Sequence, residues 1–175
     1  MELSELQAEM ERLHPACYGW ALSCCSRQRE EAEDVLQTAY LKILQGKARY
    51  DGRSAFKTWL FAVIRRTAAD ARRTHFLRRL RIMRYEEEAR APLDEGGSAA
   101  ATGQPAVEIS CRQALAVLPR RQREALQLVF YHDLTLREAA GVMGVGLGSA
   151  RTHYERGKKA LRKRLARQDV THELE

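Results

Sequence analysis

Helical periodicity dominates the pattern of apolar and polar positions along this chain, and the alternation that predicts β-strands is nearly absent. In residues 28–45, apolar side chains recur at spacings of three and four, which define one face of a helix. The apolar positions are Ala32, Val35, Leu36, Ala39, Tyr40, Ile43 and Leu44. The opposite side carries Glu30, Glu33, Asp34 and Gln37. The pattern therefore predicts a helix that packs on a core through one face only.

Helices are also predicted on both sides of this segment. Leu3–Leu13 and Ala16–Cys25 have helical patterns, and Pro15 suits a break or a first helical turn between them. Two glycines and an Asp-Gly pair predict a loop over residues 46–54, and Ser54 is a candidate cap for the helix that follows. The stripe predicted to be buried on that helix comprises Phe56, Trp59, Leu60, Val63, Ile64 and Thr67.

The periodic pattern stops between Ala89 and Pro105, where proline, glycine, serine and alanine form a low-complexity linker. We therefore expect an all-α protein in which two small helical domains are joined by a flexible linker. The predicted organisation is an N-terminal domain of residues 1–88, a linker of residues 89–106, a C-terminal domain of residues 107–168 and a tail of residues 169–175.

Residues 134–154 predict a helix-turn-helix in the C-terminal domain. Thr135 and Glu138 have the spacing of a capping box, and Gly144 suits a sharp turn that needs a positive φ. Ala140 is small, as the close crossing of two helices requires. The second helix would be anchored by Val145, Ala150 and Tyr154. In such a motif the second helix enters the major groove of DNA.

The polar side chains of this second helix are candidates for DNA contacts. They are Ser149, Arg151, Thr152, His153, Glu155 and Arg156. An arginine can donate two hydrogen bonds to a guanine edge, and a threonine can meet base edges or phosphate. Cationic residues further along suit the phosphate backbone: Lys158, Lys159, Arg162, Lys163 and Arg164. The alternative interpretation is an ordinary amphipathic helix with a solvated basic face.

Charge and its distribution favour a polyanionic partner. The chain has 30 Lys and Arg against 23 Asp and Glu, a net charge of +7. Arg65–Arg84 contains eight arginines and one acid, and Arg151–Arg167 contains eight cationic residues and one acid. Tyr85–Glu108, between them, contains six acids and one arginine. Two basic blocks separated by an acidic stretch suggest two contact surfaces on one long ligand.

The first basic block begins beside aromatic residues. Trp59 and Phe61 lie near Lys57, Arg65 and Arg66 in the sequence. Aromatic rings can stack on unpaired bases while neighbouring cations hold phosphates. Trp59 fits the predicted core stripe, whereas Phe61 lies outside it, so exposure of the Phe61 ring would favour the stacking role.

Other classes of function find little support. Cys17, Cys24, Cys25 and Cys111 form no Cys-x-x-Cys pair, and we expect reduced, mostly buried thiols rather than a metal or redox site. The five histidines are widely spaced, and Glu86–Glu88 predict a solvated helix end rather than a nuclease's metal site. We expect no cofactor, metal or catalysis. No apolar run suits a membrane span and the N-terminus does not resemble a signal peptide, so we expect a cytoplasmic protein.

Three stretches of the sequence resemble the sigma factor family of bacterial RNA polymerase, and within it the extracytoplasmic-function group. They are residues 31–41, residues 54–66, and residues 118–126 followed by the helix-turn-helix. The first domain would be sigma region 2 and the second sigma region 4. This resemblance implies binding of the polymerase core, promoter DNA and a separate anti-sigma factor, with no membrane insertion; an anti-sigma factor can hold such a protein at the inner membrane face.

The resemblance also implies a role for particular residues. Region 2 would bind the clamp helices of the largest polymerase subunit through Asp34, Gln37, Thr38 and Leu41. It would melt and read the minus-10 element with Arg53, Lys57, Phe61, Arg65, Arg66, Arg72 and Arg73. Region 4 would read the minus-35 element with Ser149, Arg151, Thr152, His153, Glu155 and Arg156, and its other face would meet the polymerase flap. A helix-turn-helix regulator that acts without core polymerase is the alternative.

Overall fold

The structure of the protein, a computed structural model, describes residues 3–86 and 113–172, and these residues form helices joined by short turns and loops. The helices are α1 (Leu3–Cys24), α2 (Arg29–Leu44), α3 (Phe56–Glu86), α4 (Arg120–Leu126), which a π-helical turn continues over Gln127–Tyr131, α5 (Leu136–Met143) and α6 (Leu147–His172). The all-α prediction is confirmed. The predicted linker, residues 89–106, lies outside the described residues. Helix α6 extends into the segment predicted as a tail.

Helix α1 runs through Pro15 without a break, so the predicted interruption there is wrong. Proline removes one backbone hydrogen bond and disfavours a helix interior. Apolar side chains before and after Pro15 form one continuous stripe that faces the core, and their burial offsets this cost. The stripe comprises Met10, Leu13, Cys17, Trp20, Ala21 and Cys24.

The predicted face of α2 is confirmed for its centre, where Ala32, Val35, Leu36, Ala39 and Ile43 are buried. Leu44, at the end of the predicted stripe, is exposed.

Helix α3 buries two faces, and this corrects the prediction of a single stripe. Phe61, predicted to lie outside the core, is fully buried, whereas Trp59, predicted to be core, is only half-buried. The reason is that α3 packs against α1 and α2 on one side and against α5 on the other. A helix packed on both sides needs apolar residues beyond one amphipathic stripe.

The C-terminal helices form the predicted helix-turn-helix. Thr135 Oγ1 accepts from the backbone N–H of Glu138, and the Glu138 carboxylate accepts from the backbone N–H of Thr135, which completes the capping box. The Thr135 hydroxyl also donates to Glu138 Oε2 at 2.7 Å, and this bond, followed by the one from the Thr135 backbone N–H, lowers the pKa of Glu138. Gly144 ends α5 with φ of 64°, the left-handed conformation predicted for this turn.

Both halves of the chain share one hydrophobic core. The cluster of buried residues runs from Met10 on α1 through Ile64 on α3 to Leu128, Val142 and Met143 of the C-terminal half. A shared core fixes the position of the helix-turn-helix relative to α1 and α3. The two halves predicted as separate domains therefore pack directly against each other here.

Candidate nucleic-acid interface

The first turns of α6 present a polar, solvent-exposed face. Ala150 is fully buried, and the ring of Tyr154 stacks on Phe130 with centroids 5.7 Å apart. These contacts anchor one side of the helix, so that the other side faces solvent. Of the six residues predicted to read DNA, His153 is half-buried and the rest are exposed: Ser149, Arg151, Thr152, Glu155 and Arg156. They lie on neighbouring turns of one helix.

Two of these side chains have partners on α6 itself. Thr152 Oγ1 donates to the carbonyl of Gly148 at 3.0 Å, and Glu155 lies 3.6 Å from Lys158 Nζ. Both contacts are at the surface, where such pairs contribute little stability and reorganise easily. Further along α6, four cationic residues are exposed: Lys159, Arg162, Lys163 and Arg164. Their position suits the phosphate backbone of a duplex held at the start of the helix.

The loop before α3 carries an aromatic cluster that sequence reasoning missed. The rings of Tyr50, Phe56 and Trp59 lie 5.3 Å apart in each pair, measured between centroids. The Tyr50 hydroxyl donates to the carbonyl of Ser54 at 2.5 Å, which closes the loop. An aromatic residue inside a glycine-rich loop six positions before Phe56 was the signal available in the sequence.

The loop itself depends on two glycines, Gly46 with φ of 69° and Gly52 with φ of 75°. Ser54 does not cap α3 as predicted. The Ser54 hydroxyl instead donates to the carbonyl of Ala55. The same carbonyl accepts from the backbone N–H of Trp59, and α3 begins at Phe56.

Of the seven cationic and aromatic residues predicted to act near this loop, three are exposed. Arg53 lies 3.4 Å from Asp51, Arg66 donates to the carbonyl of Ala62 at 3.3 Å, and Arg73 faces solvent. Arg72 is half-buried and donates to the carbonyl of Cys24. This arginine therefore ties α3 to α1 in addition to any role at the surface.

The remaining three, Lys57, Phe61 and Arg65, are covered by the C-terminal half. Lys57 Nζ donates to the backbone carbonyl of His132 at 2.6 Å. The Phe61 ring lies between Trp20, stacked at 5.8 Å, and His132, edge-on at 4.8 Å. Arg65 Nε and Nη2 both donate to Glu124 Oε2 at 3.2 Å, and this ion pair is buried.

His132 is the buried centre of this contact. Its ring meets Trp20 edge-on at 5.8 Å as well as Phe61, and only 3 % of the residue is exposed. Burial, and then the charge of Lys57, lower the pKa of His132 to about 4. At neutral pH the imidazole is uncharged and packs as an aromatic ring.

The face of α2 opposite the core is open. Asp34, Gln37, Thr38 and Leu41 are all exposed, and Leu41 is 54 % exposed although it is apolar. An exposed leucine among polar side chains suits a protein partner.

The three cysteines that the structure describes are buried free thiols, as predicted. Burial raises the pKa of Cys17 and of Cys25 to about 11, so both thiols are protonated at neutral pH. Within residues 3–86 and 113–172, no three His, Cys, Asp or Glu side chains are grouped as metal ligands. None of the described helices combines the length and apolar character needed to cross a bilayer.

Comparison with known protein families gives two matches. The Sigma-70 region 2 model matches residues 10–77, and the Sigma-70 region 4 model matches residues 110–161. The first covers α1 from Met10 onward, all of α2 and most of the described part of α3. The second covers α4, α5 and the exposed start of α6.

Two named relatives align with about three quarters of this chain. The chain is 32% identical over 130 residues to the ECF RNA polymerase sigma factor SigC of Mycobacterium tuberculosis, covering 74% of this chain and 68% of that protein. It is 29% identical over 139 residues to the ECF RNA polymerase sigma factor SigF of Caulobacter vibrioides, covering 79% of this chain and 73% of that protein.

Two solved structures have the same fold. The sigma factor RpoE of Bartonella quintana, in complex with the anti-sigma factor NepR, aligns with a TM-score of 0.68 at 22% identity, covering 94% of this chain and 98% of that one. CnrH in complex with the cytosolic domain of CnrY aligns with a TM-score of 0.62 at 18% identity, covering 94% of this chain and 90% of that one.

Proposed function

This chain belongs to the extracytoplasmic-function group of the sigma-70 family, and from that membership we propose that it binds core RNA polymerase and directs initiation at promoters with minus-10 and minus-35 elements. Sigma factors are regulatory proteins rather than enzymes. The observation that carries the proposal is the open face of α2, because a DNA-binding regulator has no need of it.

On this proposal the α2 face binds the clamp helices of the largest polymerase subunit. Leu41 supplies apolar area, and Asp34, Gln37 and Thr38 surround it with polar groups. An apolar centre within a polar rim is the arrangement found at protein–protein interfaces. The flap of the polymerase would meet the C-terminal half away from the start of α6.

The exposed face of α6 reads the minus-35 element. Arg151 and Arg156 suit guanine edges, Ser149 and Thr152 suit base edges or phosphate, and Glu155 can accept from cytosine. His153, which is half-buried, contributes at the edge of this face. The basic residues further along α6 hold phosphates and set the register on the duplex.

The minus-10 element is read by the loop of residues 46–54 and by α3. The aromatic cluster of Tyr50, Phe56 and Trp59 offers faces for unpaired bases beside Arg53. Arg66, Arg72 and Arg73 hold the backbone of the melted strand. Lys57, Phe61 and Arg65 join this surface in the conformation that engages DNA.

We also propose control by an anti-sigma factor. The solved structure of RpoE in complex with NepR supports this partner, since the two sigma factors share a fold. A polymerase subunit works at the chromosome, so we propose a cytoplasmic location, with the anti-sigma factor able to hold the protein at the inner membrane face.

In-vitro transcription with purified core polymerase and a random promoter library tests the function. The expected result is initiation that depends on the protein and enriches two sequence elements upstream of the start. A matched variant, Leu41→Glu, is expected to lose core binding while it keeps the helical fold. Absence of both core binding and initiation would overturn the proposal.

The second candidate is a regulator that binds DNA through the helix-turn-helix without polymerase. The exposed α6 face supports such a regulator as strongly as it supports a sigma factor. Capture of core polymerase on the immobilised protein separates the two. A regulator binds its duplex and leaves core polymerase in solution, whereas a sigma factor retains it.

A further inference from the structure

The turn of the helix-turn-helix is rich in glycine and open to solvent. Gly144, Gly146 and Gly148 occur within five residues, and all three are exposed. Apart from the chain neighbours of each glycine, no heavy atom that the structure describes lies within 4 Å of a Cβ built there. Glycine has the widest range of backbone conformations, so this turn alone does not fix the direction in which α6 leaves it.

The end of α5, which leads into this turn, is held by a side chain of α4. Within the turn, the backbone N–H of Gly144 donates to the carbonyl of Gly141 at 3.2 Å. The carbonyl of Met143, the last residue of α5, accepts from Arg121 Nη1 at 2.8 Å. The last carbonyls of a helix have no partners within the helix and carry partial negative charge, so a guanidinium binds there favourably.

The Arg121 side chain is itself held by a neighbour one turn further along α4. The Glu124 carboxylate is buried and lies 3.8 Å from Arg121 Nη1, the atom that binds the Met143 carbonyl. A guanidinium placed between a carboxylate and a carbonyl makes a charge-assisted and directional contact with both. Helix α4 therefore fixes the backbone on the α5 side of the turn.

Helix α4 also fixes α6 beyond the turn. A Cβ on Gly157 of α6 would lie 3.1 Å from the carbonyl oxygen of Gln122, the residue next to Arg121. Arg151 precedes Gly157 by six residues, which is about 9 Å along the helix axis. A change of about 10° in the direction of α6 at this contact would displace Arg151 by about 1.5 Å, enough to break a bidentate contact with a base edge.

We propose that Arg121 is a positioning residue of the minus-35 reader: by binding the Met143 carbonyl it fixes the glycine-rich turn, and with it the direction of α6, without contacting DNA. This inference rests on the function proposed above for α6. It makes the base selectivity of α6 depend on a side chain of α4 that lies outside the exposed α6 face.

Matched variants of the full chain test this role. Arg121→Met removes the donor and keeps most of the aliphatic stem, and Arg121→Lys keeps a cation at the position. The control is Arg123→Met on the same helix, because Arg123 Nη1 also donates to a backbone carbonyl, that of Ala116 at 2.7 Å, which precedes α4 and lies outside the turn. If Arg121→Met loses its helical circular dichroism, Arg121→Gln replaces it with the same expected results.

The first measurement is amide hydrogen exchange on the free protein, which needs no DNA. Arg121→Met is expected to accelerate exchange at the Gly144 and Val145 amides by about tenfold, because the turn opens more often without the charged hydrogen bond. Exchange at the Leu126 amide, within α4, is expected to stay unchanged. Arg123→Met is expected to leave exchange in the turn as it is in the wild type. Equal exchange at Gly144 and Val145 in Arg121→Met and the wild type would overturn the positioning role.

The second measurement is base selectivity, the ratio of binding to the minus-35 duplex selected in transcription and to duplexes altered at single base pairs. Arg121→Met is expected to reduce this ratio by about fivefold or more, Arg121→Lys to restore most of it, and Arg123→Met to leave it unchanged. The slope of log K against log salt is expected to stay the same in Arg121→Met, because Arg121 neutralises no phosphate.

The outcomes separate this role from the alternatives. Unchanged selectivity together with a slope reduced by about 1 would overturn the proposal and make Arg121 a phosphate contact. Unchanged selectivity with an unchanged slope would overturn it as well. If the wild type itself prefers no duplex, the proposed minus-35 function fails, and the exchange at Gly144 and Val145 still decides whether Arg121 holds the turn.

Discussion

Gly157 of α6 lies so close to Gln122 of α4 that a Cβ on the glycine would be 3.1 Å from the Gln122 carbonyl oxygen. The same Cβ would be 3.1 Å from Leu126 Cδ1. Gly157 is buried, so a side chain added there could not turn outward into solvent. The absence of a side chain at this position sets the distance between α4 and α6, and with it the direction in which the start of α6 points.

Gly157→Ala is therefore expected to lower the free energy of unfolding by about 1–3 kcal/mol, as overpacking of a close helix contact does. Urea denaturation followed by circular dichroism measures it. The matched control is Gly148→Ala on the same helix, where nothing lies within 4 Å of the added Cβ. Alanine there is expected to stabilise the helix by about 0.5–1 kcal/mol. Equal effects at both positions would contradict the close approach.

The Arg65–Glu124 pair is expected to contribute to stability because it is buried and joins distant parts of the chain. Glu124→Gln leaves a buried guanidinium unpaired and is expected to cost about 3 kcal/mol. A double-mutant cycle with Arg65→Met should give a coupling energy of about 1–3 kcal/mol. The control cycle uses Lys42 and Asp70, an exposed pair 3.5 Å apart, for which coupling below about 1 kcal/mol is expected. Similar coupling in both cycles would argue that Arg65 and Glu124 are solvated.

The buried His132 predicts a loss of stability in acid. Its pKa is about 4 in the folded protein, against an ordinary value of 6.5, so the unfolded chain binds more protons between these values. Stability should therefore fall as the pH drops from about 6.5 to about 4, by up to about 3 kcal/mol. The charged groups that act on the ring are Lys57, which opposes protonation, and Asp133, which favours it.

Carboxylates also titrate in this range, so the comparison is between the wild type and His132→Phe. Phenylalanine keeps an aromatic ring against Trp20 and Phe61 but takes up no proton. Urea unfolding at a series of pH values should give a shallower decline for the variant below pH 6.5. Parallel curves would mean that His132 is not the group responsible.

Local patterns in the sequence were sufficient to predict the helix-turn-helix. The capping box of Thr135 and Glu138 and the positive φ of Gly144 depend on residues within one or two turns of each other. The core face of α2 was predicted for the same reason, since both of its partners, α1 and α3, contact a single apolar stripe of this helix. The placement of Arg151 and its neighbours on the exposed face follows from these local rules.

Contacts between distant segments escaped prediction. Phe61 lies outside the amphipathic stripe and is buried because Trp20 of α1 and His132 of the C-terminal half, both distant in sequence, pack against its ring. Glu124 has the sequence context of a surface residue on a basic helix, and its burial depends on Arg65. Pro15 remains inside α1 because the core stripe continues on both sides of it. In each case the tertiary partner decides the outcome, and periodicity contains no information about that partner.

The last prediction separates base reading from phosphate binding on α6. Arg151 and Lys159 are both exposed cations on this helix, but only Arg151 lies in its first turns. Arg151→Ala is expected to cost about 1–3 kcal/mol of binding to the selected minus-35 duplex and to relax the preference at one base pair. Lys159→Ala is expected to weaken all duplexes about equally and to reduce the slope of log K against log salt by about 1. Competition titrations with duplexes altered at single positions, repeated over a range of salt, measure both effects. If Arg151→Ala weakens every duplex equally, the side chain holds phosphate, and the bases are read by other residues of the exposed α6 face.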